Sequence, residues 1–147
     1  PIYGFITIPD ELVYDIIQHP FFQRLRRIKQ LSLTCYVYPG AHHTRFHHAI
    51  GAMHLMVKAL DVIEKKGVFF SEDEKLGAIL AILLHDLGHG PFSHTLEETI
   101  VRGVEHEQLS LIFMRKLNEE FDGKLIAIIN RKNDVEDKYK INVEDDD

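Results

Sequence analysis

The sequence predicts an all-α domain whose helices stack around one central buried helix at about residues 74–88. Three observations carry this. Apolar residues recur at spacings of three and four in segment after segment, the period of a helix face. Ser71-Glu72-Asp73-Glu74 matches a capping box and stands ahead of the greasiest run in the chain, Ala78 to Leu84. No internal repeat and no confident run of strands competes with that pattern.

The elements follow in order. Pro1 to Ile8 alternates loosely and carries β-branched residues, which predicts a short extended N-terminal lead-in. Pro9-Asp10-Glu11 opens a helix with Leu12, Val13, Ile16 and Ile17 on one face. His19-Pro20 ends it, because the residue before proline avoids the α region. Pro20 suits the first position of a second helix. There Phe21, Leu25, Ile28 and Leu31 share a face, and Arg24, Arg26, Arg27 and Lys29 between them read as a solvated one. Cys35 to Thr44 holds a Pro-Gly turn and reads as a loop.

From His47 the helical period returns through Ile50, Met53, Val57 and Leu60, and Gly67 closes it. The helix opened at Ser71 runs through Leu76, Ile79, Leu80, Leu83 and Leu84. It is apolar nearly all round, which makes it the central one. Gly88, Gly90 and Pro91 stop it. Glu105 to Phe121 is a further amphipathic helix through Leu109, Ile112, Phe113 and Leu117. Phe21-Phe22, Phe69-Phe70, Met53 and Met56 read as core. After Ile129 the chain turns polar and charged, so residues 1–130 form the domain and residues 131–147 a solvated or partly disordered tail.

Composition narrows the function classes. The chain has 147 residues, enough for one domain with a real core. Its formal net charge of −6 argues against nucleic acid as a bulk partner, which usually needs a basic face. A small anion in a local basic pocket stays compatible with that charge. Cys35 is the only cysteine, so no intrachain disulfide forms, in keeping with a reducing compartment. No signal peptide and no apolar run of transmembrane length is found, which leads to the expectation of a cytoplasmic protein with no membrane partner. The start at Pro1 and the acidic end Glu144 to Asp147 read as a piece of a longer chain.

The chemistry concentrates in one stretch, Ile82-Leu-Leu-His85-Asp86-Leu-Gly-His89-Gly-Pro-Phe-Ser-His94. Burying an unpaired ionisable group costs several kcal/mol. One histidine at a helix end is ordinary; four ionisable groups beside an apolar helix need a shared reason. His85 and Asp86 at the helix end are placed to ligate one divalent cation, and imidazole with carboxylate suits Mn, Fe, Ni or Zn better than Ca. His89 lies four residues from His85, and His94 follows a turn that can fold back. Nine of the ten histidines fall between His42 and His106, so His42, His43, His47 and His48 are the nearest further donors. Arg45 beside them is a natural bidentate phosphate clamp. Metal, histidines and arginine together point to a phosphoester or phosphoanhydride substrate.

Arg45-Phe46-His47-His48-Ala49-Ile50-Gly51 followed by His85-Asp86-Leu87-Gly88-His89-Gly90-Pro91-Phe92-Ser93-His94 resembles the HD-domain phosphohydrolase superfamily. The resemblance is to its deoxynucleoside triphosphate triphosphohydrolase branch, and it covers about residues 2–121. It extends upstream through Phe22 to Leu31 and Tyr38 to Ala41, and downstream to Glu105-His106-Glu107-Gln108. It implies an HD-domain helical bundle, with residues 1–130 as the N-terminal part of a catalytic core. It also implies hydrolysis of a dNTP to deoxynucleoside and tripolyphosphate.

The resemblance further implies His48, His85 and Asp86 as metal ligands, with the cofactor a divalent ion such as Mn, Fe, Ni, Zn or Mg. His89, His94, Glu97 and His106 become catalytic residues on the phosphate and water side. Arg45 becomes a phosphate contact and Gln30 a sugar contact. A homo-oligomeric full-length protein is expected. The family's fourth ligand, a late aspartate, has no counterpart in the pattern of residues 130–147. That departure keeps two alternatives in play: a phosphomonoesterase or other phosphoester hydrolase of the HD type, and a non-catalytic nucleotide-binding module.

Overall fold

A computed structural model describes residues 3–92 and 106–130 of the chain. Its described residues are mostly helical, with no strand and one isolated antiparallel bridge, Lys29 to Thr44. The all-α expectation holds. Residues 3–10 lead in without regular secondary structure, and Ile6 and Ile8 pack against the core.

Helix α1 spans Glu11–Gln18. The Asp10 carboxylate caps it by accepting from the Leu12 N–H at 2.7 Å, and Val13, Ile16 and Ile17 are buried. His19 is extended, and Pro20 opens α2, Pro20–Gln23. The spacing of Phe21, Leu25, Ile28 and Leu31 by threes and fours predicts one continuous helix, but the chain tightens into a 3-10 turn at Arg24–Arg27 and leaves the helix at Ile28. The reason is a pairing distant in sequence. The Ile28 carbonyl accepts from the Arg45 N–H at 2.8 Å, and the Gln30 N–H donates to the His43 carbonyl at 3.0 Å. Ile28 stays buried, whereas Leu31 is exposed. A second 3-10 turn, Thr34–Tyr36, follows within the predicted loop region.

Helix α3 spans Arg45–Lys65. Thr44 caps it, and His47 completes a capping box by accepting the Thr44 N–H at Nδ1. Gly67 takes a φ of +92°, the left-handed region that glycine fills at a helix end. Helix α4 spans Glu72–Leu84, capped by the predicted Ser71–Glu74 box. Ile79, Leu80, Leu83 and Leu84 are buried on it. It ends four residues short of the expected limit, and residues 85–88 form a turn instead.

Helix α5 spans His106–Glu120 and α6 spans Lys124–Asn130. The sequence reading did not anticipate α6. It packs on α4, where Leu125 is buried and Ile128 lies 3.9 Å from the position a Cβ would take at Gly77. Besides Leu31, two apolar residues read as buried are not: Phe69 is exposed at the α3–α4 connection, and Ile112 is exposed on α5. Phe22 and Met53 are in the core as expected. The expected tail at 131–147 lies outside the described residues.

Helices α3 and α4 run antiparallel against each other. The end of α3 meets the start of α4 through Lys75 and Glu64 at 2.7 Å, and the start of α3 meets the end of α4 through Arg45 and Asp86 at 2.6 Å. This arrangement brings the two halves of the ionisable cluster together.

Candidate metal centre

Arg45 and His48 lie three residues apart in the first turn of α3, on one side of it. His85 caps the end of α4, and Asp86 and His89 follow in the turn. Asp86 is the hub. Its Oδ2 lies 2.6 Å from Arg45 Nη1 and 3.6 Å from His48 Nε2. Its Oδ1 lies 3.4 Å from His85 Nε2 and 3.3 Å from His89 Nε2. Donor atoms of His48, His85 and Asp86 all lie within 4.8 Å of one another.

The cluster has a dry side and a wet side. The side chains of Arg45 and His89 are 5% and 2% exposed, while those of His48 and His85 are 39% and 38% exposed. The two imidazoles are thus the more exposed donors, and the carboxylate is the more buried one. The His85 Nδ1 donates to the Ile82 carbonyl at 2.7 Å, a tautomer assigned from that partner. Its Nε2 then keeps a lone pair facing the cluster.

The charge states suit a cation. Burial pushes the Asp86 carboxyl up, but hydrogen bonds from His89 and Arg45 and the Arg45 charge outweigh it. The carboxyl is held well below the usual range and is ionised. Burial pushes the His48 imidazole down, partly offset by the Asp86 charge, with His85, Arg45 and His43 adding to the fall. A neutral imidazole is what a metal ligand must be. Two imidazoles and a carboxylate form a donor set for a borderline divalent ion.

The other expected site residues divide into groups. Arg45 is buried and directed at Asp86. His89 joins the cluster as expected. The Gln30 side-chain oxygen is buried with no hydrogen-bond partner among the described residues. His94 and Glu97 lie outside the described residues. His106 begins α5, and its side chain is likewise outside them. His47 is used in the α3 cap.

Sequence reasoning missed two side chains that reach the turn. Arg24, read as part of a solvated basic face, is half-buried and donates through Nη1 to the His89 carbonyl at 2.8 Å and through Nη2 to the Leu87 carbonyl. Ser110, on α5, is buried. Its Oγ accepts from the Gly88 N–H at 2.8 Å and donates to the His85 carbonyl at 3.3 Å. Nothing local in sequence marks either one, because their partners lie 63–65 and 22–25 residues away.

Known proteins share this arrangement of sequence. A phosphohydrolase of known structure from Bacteroides thetaiotaomicron is 52% identical, with a TM-score of 0.84 over 91% of this chain and 34% of its own. The human deoxynucleoside triphosphate triphosphohydrolase SAMHD1 is 47% identical over 100 residues, which is 66% of this chain and 16% of that protein. An uncharacterised protein of Methanocaldococcus jannaschii is 42% identical over 126 residues, 84% of this chain and 26% of its own length. The chain thus spans about a quarter or less of the curated relatives named here. The family model of the HD domain matches residues 45–145, which include both Arg45 to His48 and the His85-Asp86 pair, and the chain belongs to the HD-domain family.

Proposed function

We propose that this chain carries the metal-binding core of a phosphohydrolase acting on nucleotides, with a dNTP as substrate and deoxynucleoside and tripolyphosphate as products. The observation that carries the reading is the convergence of His48 from α3 and His85 from the end of α4 onto the buried, ionised carboxylate of Asp86. The likeness to the human deoxynucleoside triphosphate triphosphohydrolase supports the substrate class. His48, His85 and Asp86 would hold a divalent cation, which supplies Lewis-acid charge and water of lowered pKa.

The chain's own residues do the rest. Arg45 and His89 keep Asp86 ionised and aimed. Arg45 also brings a buried positive charge to the cluster, where a phosphate contact is expected. The Gln30 oxygen, without a hydrogen-bond partner among the described residues, suits acceptance of a sugar hydroxyl. Roles for His94, Glu97 and His106 in proton handling rest on the family resemblance.

The test is a product assay with Mn²⁺ over a panel of dNTPs, NTPs and nucleoside monophosphates. Tripolyphosphate and deoxynucleoside in equal amounts support the reading. Inorganic phosphate from monophosphates contradicts it in favour of a phosphomonoesterase. Nucleotide binding without turnover contradicts it in favour of a binding module.

A further inference from the structure

The turn at residues 85–89 presents Asp86 and His89, yet it lies past the end of α4, where helix carbonyls lose their partners. Its residues 86–89 are buried, so those backbone groups need partners from the protein. Two come from within: the Leu87 N–H bonds the Leu84 carbonyl at 2.9 Å, and the His89 N–H bonds the Asp86 carbonyl at 3.2 Å. Four more bonds to the turn come from two side chains. Arg24 takes the carbonyls of Leu87 and His89. Ser110 takes the Gly88 N–H and the His85 carbonyl.

Arg24 is itself fixed. Its guanidinium carbon lies 4.5 Å from the centroid of the Phe113 ring, which belongs to the same helix as Ser110. Phe113 in turn stacks edge-on against Phe21, with ring centroids 5.0 Å apart. The 3-10 turn of Arg24 and helix α5 therefore grip the ligand-bearing turn as one unit. A planar guanidinium spans two carbonyls at once, which an ammonium cannot reproduce.

We propose that Arg24 and Ser110 are positioning residues of the metal centre: a clamp that fixes the backbone of residues 85–89 and so sets the aim of His85, Asp86 and His89. The inference rests on the metal-site reading above. Groups that orient ligands typically change metal affinity on the order of 10- to 100-fold when removed. The clamp acts through backbone placement, so it governs affinity for the ion even where the fold survives its loss.

The test measures Mn²⁺ affinity by titration calorimetry, with circular dichroism and thermal melting alongside, for the unaltered 147-residue chain and for Arg24→Lys, Ser110→Ala and Ser110→Thr. Arg24→Lys keeps the charge and Ser110→Thr keeps the hydroxyl, so each guards against simple unfolding. The clamp predicts folded Arg24→Lys and Ser110→Ala proteins that bind Mn²⁺ about 10-fold or more weakly, with Ser110→Thr restoring affinity. Lowered melting temperatures with unchanged affinity would overturn the clamp and leave the metal site standing. No Mn²⁺ uptake by the unaltered chain would overturn the metal-site reading, and the clamp with it.

Discussion

Asp86 and His85 are neighbours with opposite burdens. Asp86 is buried and is a counter-charge of the buried Arg45; the His85 side chain is 38% exposed and bonds the Ile82 carbonyl of its own helix. Asp86→Ala removes a buried counter-charge of the Arg45 guanidinium, and breaking such a buried pair costs about 3–5 kcal/mol. His85→Ala removes a metal donor from the surface, and urea unfolding should place it within about 0.5 kcal/mol of the unaltered chain. Both variants should lose metal. Titration follows the same logic. The Asp86 carboxyl is depressed, so the stability it contributes is present above its unfolded value of about 3.9 and is lost as the pH falls through its lower folded value. In Asp86→Asn, denaturation curves between neutral and strongly acidic pH should lose part of that acid-side slope. His48 is also depressed, so the unfolded chain takes up its proton first as pH falls through about 6.5, and the folded imidazole stays a competent ligand to lower pH. An NMR titration of the His48 ring should show a midpoint below that value. A midpoint above it would contradict the account. Two short motifs mark His48, His85, Asp86 and His89 in the sequence as candidates, because the spacing within each motif is local. The contacts of Arg24 and Ser110 with the turn were not legible there, because only the folded turn brings them to their partners.

Helix ends follow from local chemistry more than helix middles do. Asp10, Thr44 and Ser71 each cap the helix that follows, and the Ser71–Glu74 box was readable because all its partners lie within four residues. Ser71→Ala should cost about 1 kcal/mol in a urea titration, with helix content otherwise retained. The break after Gln23 had no such local mark. Four apolar residues at helical spacing predicted continuity, but the Lys29–Thr44 bridge fixes Ile28 in an extended conformation, and tertiary pairing prevails. Helix α6 went unread for a related reason. It is seven residues long, and its place is set by Leu125 and Ile128 meeting α4. The expectation that Phe69 is buried failed because periodicity gives no direction to a residue in a connection between helices.

The whole molecule is organised so that the core and the site share α4. Leu80, Leu83 and Leu84 are at most 2% exposed, and one residue later the chain presents His85 to the cluster. The antiparallel pairing with α3 brings Arg45 and Asp86, 41 residues apart, to within 2.6 Å. Leu83→Ala should therefore cost about 2–5 kcal/mol by chemical denaturation, as for a fully buried leucine. The fold class and the central helix were legible because apolar spacing by threes and fours marks helices and a run apolar nearly all round marks the buried one. The meeting of the two motifs was legible only through resemblance, since nothing in the spacing of residues 45–48 and 85–89 by itself says that they touch.

The central claim is that His48, His85 and Asp86 together hold one divalent ion, and the direct measurement is elemental analysis after Mn²⁺ loading and desalting. The account predicts about one ion per unaltered chain and close to none in Asp86→Asn or His85→Ala, both still folded by circular dichroism. No metal in the unaltered chain, or equal metal in all three, would contradict it.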